Sequence, residues 1–152
     1  MQPLPHFYSV TSIAAPNVQV RLNSPGLSEL KSEPPVEFGG PGDLWSPETL
    51  LMAAVADCFT LTFRATARIT NLPWTSLECA ASGTVDRTDG VTRFTAVHLR
   101  VALSIPQVAD AAKALRLLEK TEKSCLVANS IKAERTLEPV VTIDAAKELK
   151  TA

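Results

Sequence analysis

The sequence predicts an α+β fold with a single core. Strand patterns come first, one long apolar helix follows, and a hairpin, further helices and a last strand complete the order. This order favours an α+β arrangement over the regular alternation of strands and helices that produces a parallel sheet. The chain has 152 residues, of which 45% are apolar and 20% charged, values typical of one folded domain.

A long apolar helix over 45–67 is the element around which the chain is organised. Ser46 is a good N-cap, a proline follows at the first helical position, and Glu48 complements the positive helix N-terminus. From Leu50 to Phe63 nearly every residue is apolar or small, a pattern typical of a membrane span or of a buried helix. Asp57 and the arginines that follow it favour the buried central helix.

Periodicity and turn residues predict the other elements. A meander of three short antiparallel strands precedes the long helix, and a loop rich in proline and glycine joins the two. Asp89-Gly90 is a hairpin signal between two longer strands. The predicted strands cover 6–13, 17–22, 27–31, 77–86, 91–105 and 136–143, the loop covers 33–45, and the later helices cover 108–123 and 125–133.

The charge and the N-terminus exclude several classes of protein. The net charge is −1 and no basic block is present, which argues against binding to nucleic acid or to an anionic membrane. The first residues lack the basic and apolar regions of a signal peptide, so a cytoplasmic location is expected. Three cysteines are an odd number, which indicates free thiols rather than a disulfide framework.

Cys58 and Cys125 are the candidate nucleophiles. Cys125 follows Ser124, a candidate N-cap, so the helix N–H groups would favour its thiolate. Cys58 lies in the middle of an apolar helix, where burial opposes ionisation, so a reactive Cys58 needs a nearby cation. Arg21 and Arg64 are available for that role. The alternative for each cysteine is that of a small buried apolar side chain.

Glu48 has two possible roles. It complements the helix N-terminus, and it could also hold an arginine that activates a thiolate. Glu48 and Cys58 are ten residues apart on one helix, which corresponds to about 15 Å. If the two residues share a site, the expected arrangement packs two central helices antiparallel across a two-fold axis, with Glu48 of one subunit reaching Cys58 of the other.

Two other kinds of site were considered. A cysteine–histidine hydrolase would use His6 or His98 as its base, but neither residue has a recognisable flanking motif. A metal site built from the three cysteines and a histidine lacks any known ligand spacing. Cys79 lies in a predicted strand without charged neighbours in sequence and is interpreted as structural.

Two motifs together resemble the OsmC/Ohr family of thiol-dependent peroxidases. They are SPETLLMAAVADCF over 46–59 and CLVANSIKAE over 125–134, and the GGPG and WSPE segments are closer to the OsmC-like branch. The resemblance covers nearly the whole chain. It implies a single OsmC-like domain over 1–152, with antiparallel sheets around a buried central helix, and an intertwined homodimer with its sites at the interface.

The resemblance also implies a chemistry. Cys58 would be the peroxidatic thiol that becomes a sulfenic acid, and Cys125 the resolving thiol that closes a disulfide with it. An external dithiol such as a lipoyl protein would then reduce this disulfide, and no cofactor is implied. Glu48 matches the carboxylate that pairs with a catalytic arginine, for which Arg21 is the candidate because the loop 33–45 contains no arginine.

A small organic hydroperoxide is the substrate that the resemblance implies. An apolar pocket built from Leu50, Leu51, Phe59 and the proline-rich loop would favour it over hydrogen peroxide. The alternative that stays open is a redox-sensing or ligand-binding protein of the same family that keeps both cysteines but turns over weakly.

Overall fold

The computed structural model describes residues 2–144. It confirms the predicted α+β class, with two three-stranded sheets and three α-helices among these residues. The chain divides into two compact units, one formed by residues up to Leu51 and one that begins at Met52. The single domain over 1–152 stays a prediction, and most of the C-terminal Lys/Glu tail, which was expected to fray, lies outside the described residues.

The N-terminal unit contains the predicted antiparallel meander. Its strands are β1 (Thr11–Ala15), β2 (Val18–Asn23) and β3 (Leu30–Ser32), in the spatial order β1-β2-β3. The first strand begins later than predicted because its partner β2 ends at Asn23, which pairs with Thr11. The loop that follows contains a short 3₁₀ turn, and the Glu33 N–H donates to the Trp45 carbonyl at 2.9 Å, which ties its two ends together.

The long helix, α1 (Pro47–Thr70), begins at the predicted cap. The Thr49 N–H donates to Ser46 Oγ at 3.2 Å, and the Ser46 N–H donates to Thr49 Oγ1 at 2.8 Å. These reciprocal bonds satisfy donors that a helix start leaves without partners. The helix ends at Thr70, and the left-handed φ of 50° at the next residue, Asn71, allows the Leu72 N–H to reach the Ala67 carbonyl at 3.0 Å.

One stripe of α1 is buried, and the prediction of a helix without a solvent face is wrong for a single chain. The buried residues recur every four positions, at Val55, Phe59, Phe63 and Ala67. Because the chain covers one side of the helix, Ile69 on another side is 75% exposed. By length and composition α1 could also cross a membrane, although the core helix of a soluble protein meets the same criterion.

The second sheet lies in the unit that begins at Met52. It consists of β4 (Ser76–Thr88), β5 (Val91–Ile105) and β6 (Glu134–Ile143), with β5 in the middle. β4 and β5 form the predicted hairpin, but β6 is parallel to β5, so the expectation of purely antiparallel sheets is wrong here. The reason is the connection through α2 (Ala111–Ser124) and α3 (Leu126–Asn129), since a helical crossover returns the chain to the same end of the sheet.

The core of this unit is formed by the inner face of β5, the α1 stripe and α2. As predicted, alternate β5 residues lie on one face and are buried, whereas His98 and Arg100 lie on the other face. The ring of Phe63 meets that of Trp74 edge-on, with centroids 5.4 Å apart. The buried β5 residues are Val97, Leu99, Val101, Leu103 and Ile105.

Candidate functional site

Cys125 lies at the junction of α2 and α3 and is fully buried. Its backbone is extended, with φ −68° and ψ 110°, so it ends one helix and caps the next. The predicted cap, Ser124, is instead the last residue of α2. The Asn129 N–H donates to the Cys125 carbonyl at 2.9 Å, and the Asn129 side chain donates to the Lys123 carbonyl at 3.0 Å. The CLVANS motif therefore builds a tight joint that fixes the position of the sulfur.

Burial raises the pKa of the Cys125 thiol to about 11. The N–H groups of Ala128 and Val127 act in the other direction and lower this pKa, as the sequence predicts for a cysteine at a helix N-terminus. Burial outweighs them, so the expected thiolate is not the resting form. Cys125 is a neutral thiol at neutral pH.

The structure brings Cys58 and Cys125 together. Cys58 is half-buried on α1, next to Phe59, and packs against the same buried core to which Cys125 belongs. A side-chain hydrogen bond to Cys58 and the proximity of this second thiol both raise the pKa of Cys125. Both side chains are free thiols. The two thiols are therefore neighbours at one core, although Cys58 lies within α1 and Cys125 at the junction of α2 and α3.

Cys79 packs against the same core as Cys58 and Cys125, as a third thiol of this cluster. The sequence pattern predicts only a structural role for it. It lies on β4 directly opposite the buried Val101, so its side chain points to the core face. Burial raises its pKa to about 11, and the charge of Cys125 adds to this shift. The alternation of Leu77, Cys79 and Ala81 on one face was the signal in the sequence. Within residues 2–144 no three or more His, Cys, Asp or Glu side chains are placed to hold a metal ion.

Glu48 lines an apolar pocket of about 500 Å³ in the N-terminal unit. Its Oε2 atom is shielded from solvent and has no hydrogen-bond partner among the described residues. Arg21 does not meet it there, since Val20 and Leu22 line the pocket and the residue between them points to the opposite face of β2. The Arg21 guanidinium lies instead 3.9 Å from Glu29. The lining residues are Ser12, Val20, Leu22, Ser32, Glu33, Pro34, Pro35, Phe38, Pro47, Glu48 and Leu50.

Neither histidine belongs to the cysteine cluster. His98 lies on the face of the second sheet opposite to the core, and His6 belongs to the N-terminal unit. His98 is on the outer face of the second sheet, where Nδ1 lies 2.8 Å from Thr136 Oγ1 and Nε2 lies 3.3 Å from Glu138 Oε2. His6 is exposed in the N-terminal unit and contacts the Gln2 carbonyl at 3.1 Å. His98 is thus held by its own surface partners, which argues against a cysteine–histidine hydrolase.

The raised pKa values predict a fall in stability at alkaline pH. Cys79 and Cys125 ionise near 11 in the folded chain against an ordinary value of 9.0, so the unfolded chain releases these protons first. The stabilisation is complete below the unfolded value and is lost as the pH rises through the folded one, on the order of 2 kcal/mol per thiol. Urea unfolding should show this loss in the wild type and a smaller loss in Cys79→Ala. An identical pH dependence of both proteins would contradict it.

The sequence and the fold were compared with those of known proteins. The family of OsmC-like proteins matches residues 40–139. The uncharacterized protein YmaD of Bacillus subtilis is 29% identical over 107 residues, which are 68% of this chain and 71% of YmaD. VCA0330 of Vibrio cholerae, an OsmC-like protein of unknown function, has a TM-score of 0.81 at 17% identity, covering 90% of this chain and all of its own.

A further solved structure is the organic hydroperoxide resistance protein OsmC of Legionella pneumophila. Its TM-score is 0.73 at 21% identity, and the superposition covers 93% of this chain and 100% of that chain. At these identities the two solved structures show the fold alone. The predicted OsmC-like fold is confirmed.

Proposed function

This chain belongs to the family of OsmC-like proteins, and on that basis we propose that it is a thiol-dependent peroxidase that reduces organic hydroperoxides. The observation that carries the proposal is that Cys58 packs against the buried core to which Cys125 belongs and, as its neighbour, raises the pKa of Cys125. The name of the similar Legionella pneumophila protein, which refers to organic hydroperoxide resistance, supports the same class of substrate.

The first step is attack of the Cys58 thiolate on the terminal oxygen of the hydroperoxide. The O–O bond breaks, Cys58 becomes a sulfenic acid, and the remaining oxygen takes a proton and leaves as an alcohol. Cys58 is suited to this step because it is the less buried of the two thiols. Cys125 keeps its proton, since its pKa is raised to about 11, and is therefore the poorer first nucleophile.

The second step is condensation of Cys125 with the sulfenic acid. A Cys58–Cys125 disulfide forms and water is released, which protects Cys58 from further oxidation. The tight joint around Cys125 fixes its sulfur beside Cys58 before the reaction, so little movement is needed. An external dithiol such as a lipoyl protein then reduces the disulfide, as a reducing cytoplasm would allow.

A homodimer completes the proposed site. Apolar side chains on the uncovered part of α1, such as Leu61 and Ile69, support packing against a second copy. In that dimer Glu48 of one subunit would approach Cys58 of the other and hold the activating arginine. Arg21 is the candidate, and its guanidinium would have to leave Glu29 and the opposite face of β2 to take this position. The shielded Glu48 Oε2, which has no donor among the described residues, is the acceptor that such an arginine would satisfy.

Replacement of Arg21 tests its role in activation. We expect Arg21→Ala to lower kcat/KM for an organic hydroperoxide by at least about tenfold, because loss of one group that stabilises developing oxygen charge costs about 10²–10³ in other enzymes. Arg64→Ala removes the same charge from a surface pocket on α1 and is the matched control, expected to stay within about twofold. Unchanged kinetics of Arg21→Ala would remove this residue from the site.

The apolar pocket beside Glu48 predicts substrate selectivity. In the proposed dimer, where Glu48 approaches Cys58 of the other subunit, a bulky hydroperoxide such as cumene hydroperoxide can bury its carbon skeleton in the pocket of about 500 Å³, whereas hydrogen peroxide cannot. We expect kcat/KM for the organic substrate to exceed that for hydrogen peroxide by at least about tenfold, the equivalent of burying roughly two CH₂ groups. Equal values for both peroxides would dismiss the pocket as a substrate site.

Redox sensing with weak turnover is the second candidate. It is favoured by the position of Arg21, whose guanidinium is engaged by Glu29 at 3.9 Å. A sensor would form the same disulfide but would be reduced slowly. Steady-state turnover with a lipoyl or dithiothreitol reductant distinguishes the two, since the peroxidase recycles many times and the sensor reacts once.

A further inference from the structure

The mechanism proposed above leaves one thiol of the cluster without a role. Cys79 lies on the core face of β4 and packs against the buried core that includes Cys125. Cys58 packs against the same core from α1, so three elements each contribute one thiol to it. Cys79 lies opposite the buried Val101, which belongs to the same core as Cys125, and the charge of Cys125 contributes to the raised pKa of Cys79.

Resting on the proposed function, we propose that Cys79 replaces Cys58 in the disulfide with Cys125 by thiol–disulfide exchange. Its thiolate attacks the Cys125 sulfur of the Cys58–Cys125 disulfide, a Cys79–Cys125 disulfide forms, and Cys58 leaves as a thiolate. One S–S bond replaces another, so the exchange requires no oxidant or reductant, and the proton lost by Cys79 is balanced by the one that Cys58 regains.

The position of β4 in the sheet allows the movement that this exchange requires. β4 is hydrogen-bonded to β5 on one side and is an edge strand of the described sheet. An edge strand can shift with the loss of fewer hydrogen bonds than a central one. Cys125 stays in place at its tight joint, so β4 supplies the movement.

The exchange would free Cys58 for a second reaction before any reductant arrives. Without reductant, the wild type should therefore consume two equivalents of hydroperoxide per chain, whereas a chain that lacks Cys79 should stop at one. The exchange should be slow at neutral pH, because burial raises the pKa of Cys79 to about 11 and only its thiolate attacks. Each rise of one pH unit below that value should accelerate it by up to about tenfold.

Disulfide mapping tests this inference. The reduced protein is treated with one equivalent of cumene hydroperoxide, held without reductant at about pH 7 or about pH 9, quenched in acid, alkylated and mapped by mass spectrometry. We expect a Cys58–Cys125 disulfide first, and its conversion to Cys79–Cys125 with a free Cys58, faster at the higher pH. Cys79→Ser and Cys79→Ala are the controls, and both should keep the Cys58–Cys125 disulfide.

The outcomes separate this inference from the proposed function. Persistence of the Cys58–Cys125 disulfide in the wild type, with no Cys79 disulfide at either pH, would overturn the inference and leave the peroxidase intact. Absence of any Cys58–Cys125 disulfide would overturn both. The use of two Cys79 variants guards against misfolding of one of them, and consumption of two equivalents by either variant would also refute the exchange.

Discussion

Cys58→Ser should abolish the consumption of organic hydroperoxide. A serine hydroxyl is not ionised at neutral pH and cannot form a sulfenic acid, so the reacting group is lost while the side chain keeps nearly the same shape. Removal of an enzyme nucleophile lowers kcat by about 10⁶ in a well-studied case, and we expect a fall of at least about 10³ here. The measurement is the rate of peroxide loss with excess dithiothreitol.

Thr60→Ser is a matched control for that variant. It lies two positions further along α1 and retains the hydroxyl that donates to the Ala56 carbonyl at 2.9 Å. Its rate should stay within about twofold of the wild type, since a half-buried side chain that keeps its hydrogen bond loses only one methyl group. Equal rates for wild type and Cys58→Ser would defeat the assignment of Cys58.

Cys125→Ser should separate the first oxidation from recycling. Cys58 remains able to react once, but the sulfenic acid then has no partner thiol beside it. We therefore expect one equivalent of hydroperoxide to react, turnover through the disulfide to stop, and further peroxide to convert Cys58 to the sulfinic acid. The readouts are steady-state turnover with a lipoyl reductant and the mass of the Cys58 peptide.

Ser130→Ala is the matched control for Cys125→Ser. Ser130 is the C-cap of α3, the short helix whose N-cap is Cys125, and its hydroxyl donates to the Leu126 carbonyl at 3.0 Å. Removal of this hydroxyl perturbs the local structure without removing a thiol. It should recycle as the wild type does. Multiple turnovers of Cys125→Ser at the wild-type rate would show that another group resolves the sulfenic acid.

Local signals in the sequence predicted much of the fold. The bounds of β5 were correct because its alternation of apolar residues is long and is stopped by Pro106. The cap of α1 was correct because Ser46 and the proline after it specify a helix start in a way that does not depend on the rest of the chain. The contact of Cys58 with Cys125 entered only through the family resemblance, since no local pattern reports which helices meet.

Other features depend on long-range packing and could not be predicted. The apolar composition of α1 does not show which of its residues pack against the rest of the same chain. The sequence therefore did not predict that one side of the helix is exposed. Cys125 was expected to ionise at a helix N-terminus, but the burial that outweighs this effect arises from distant elements. The residue type alone made Arg21 a candidate, and its role stays a prediction; in the fold it pairs with Lys31 across β2 and β3, and its guanidinium lies 3.9 Å from Glu29.

The pairing of Cys58 with Cys125 is tested most directly by the intact mass of the protein after one equivalent of organic hydroperoxide. The proposed mechanism predicts that the wild type loses two hydrogen atoms, and that neither Cys58→Ser nor Cys125→Ser does so. A wild type that gains oxygen and forms no disulfide, or a Cys125→Ser variant that loses the same two hydrogen atoms, would contradict it.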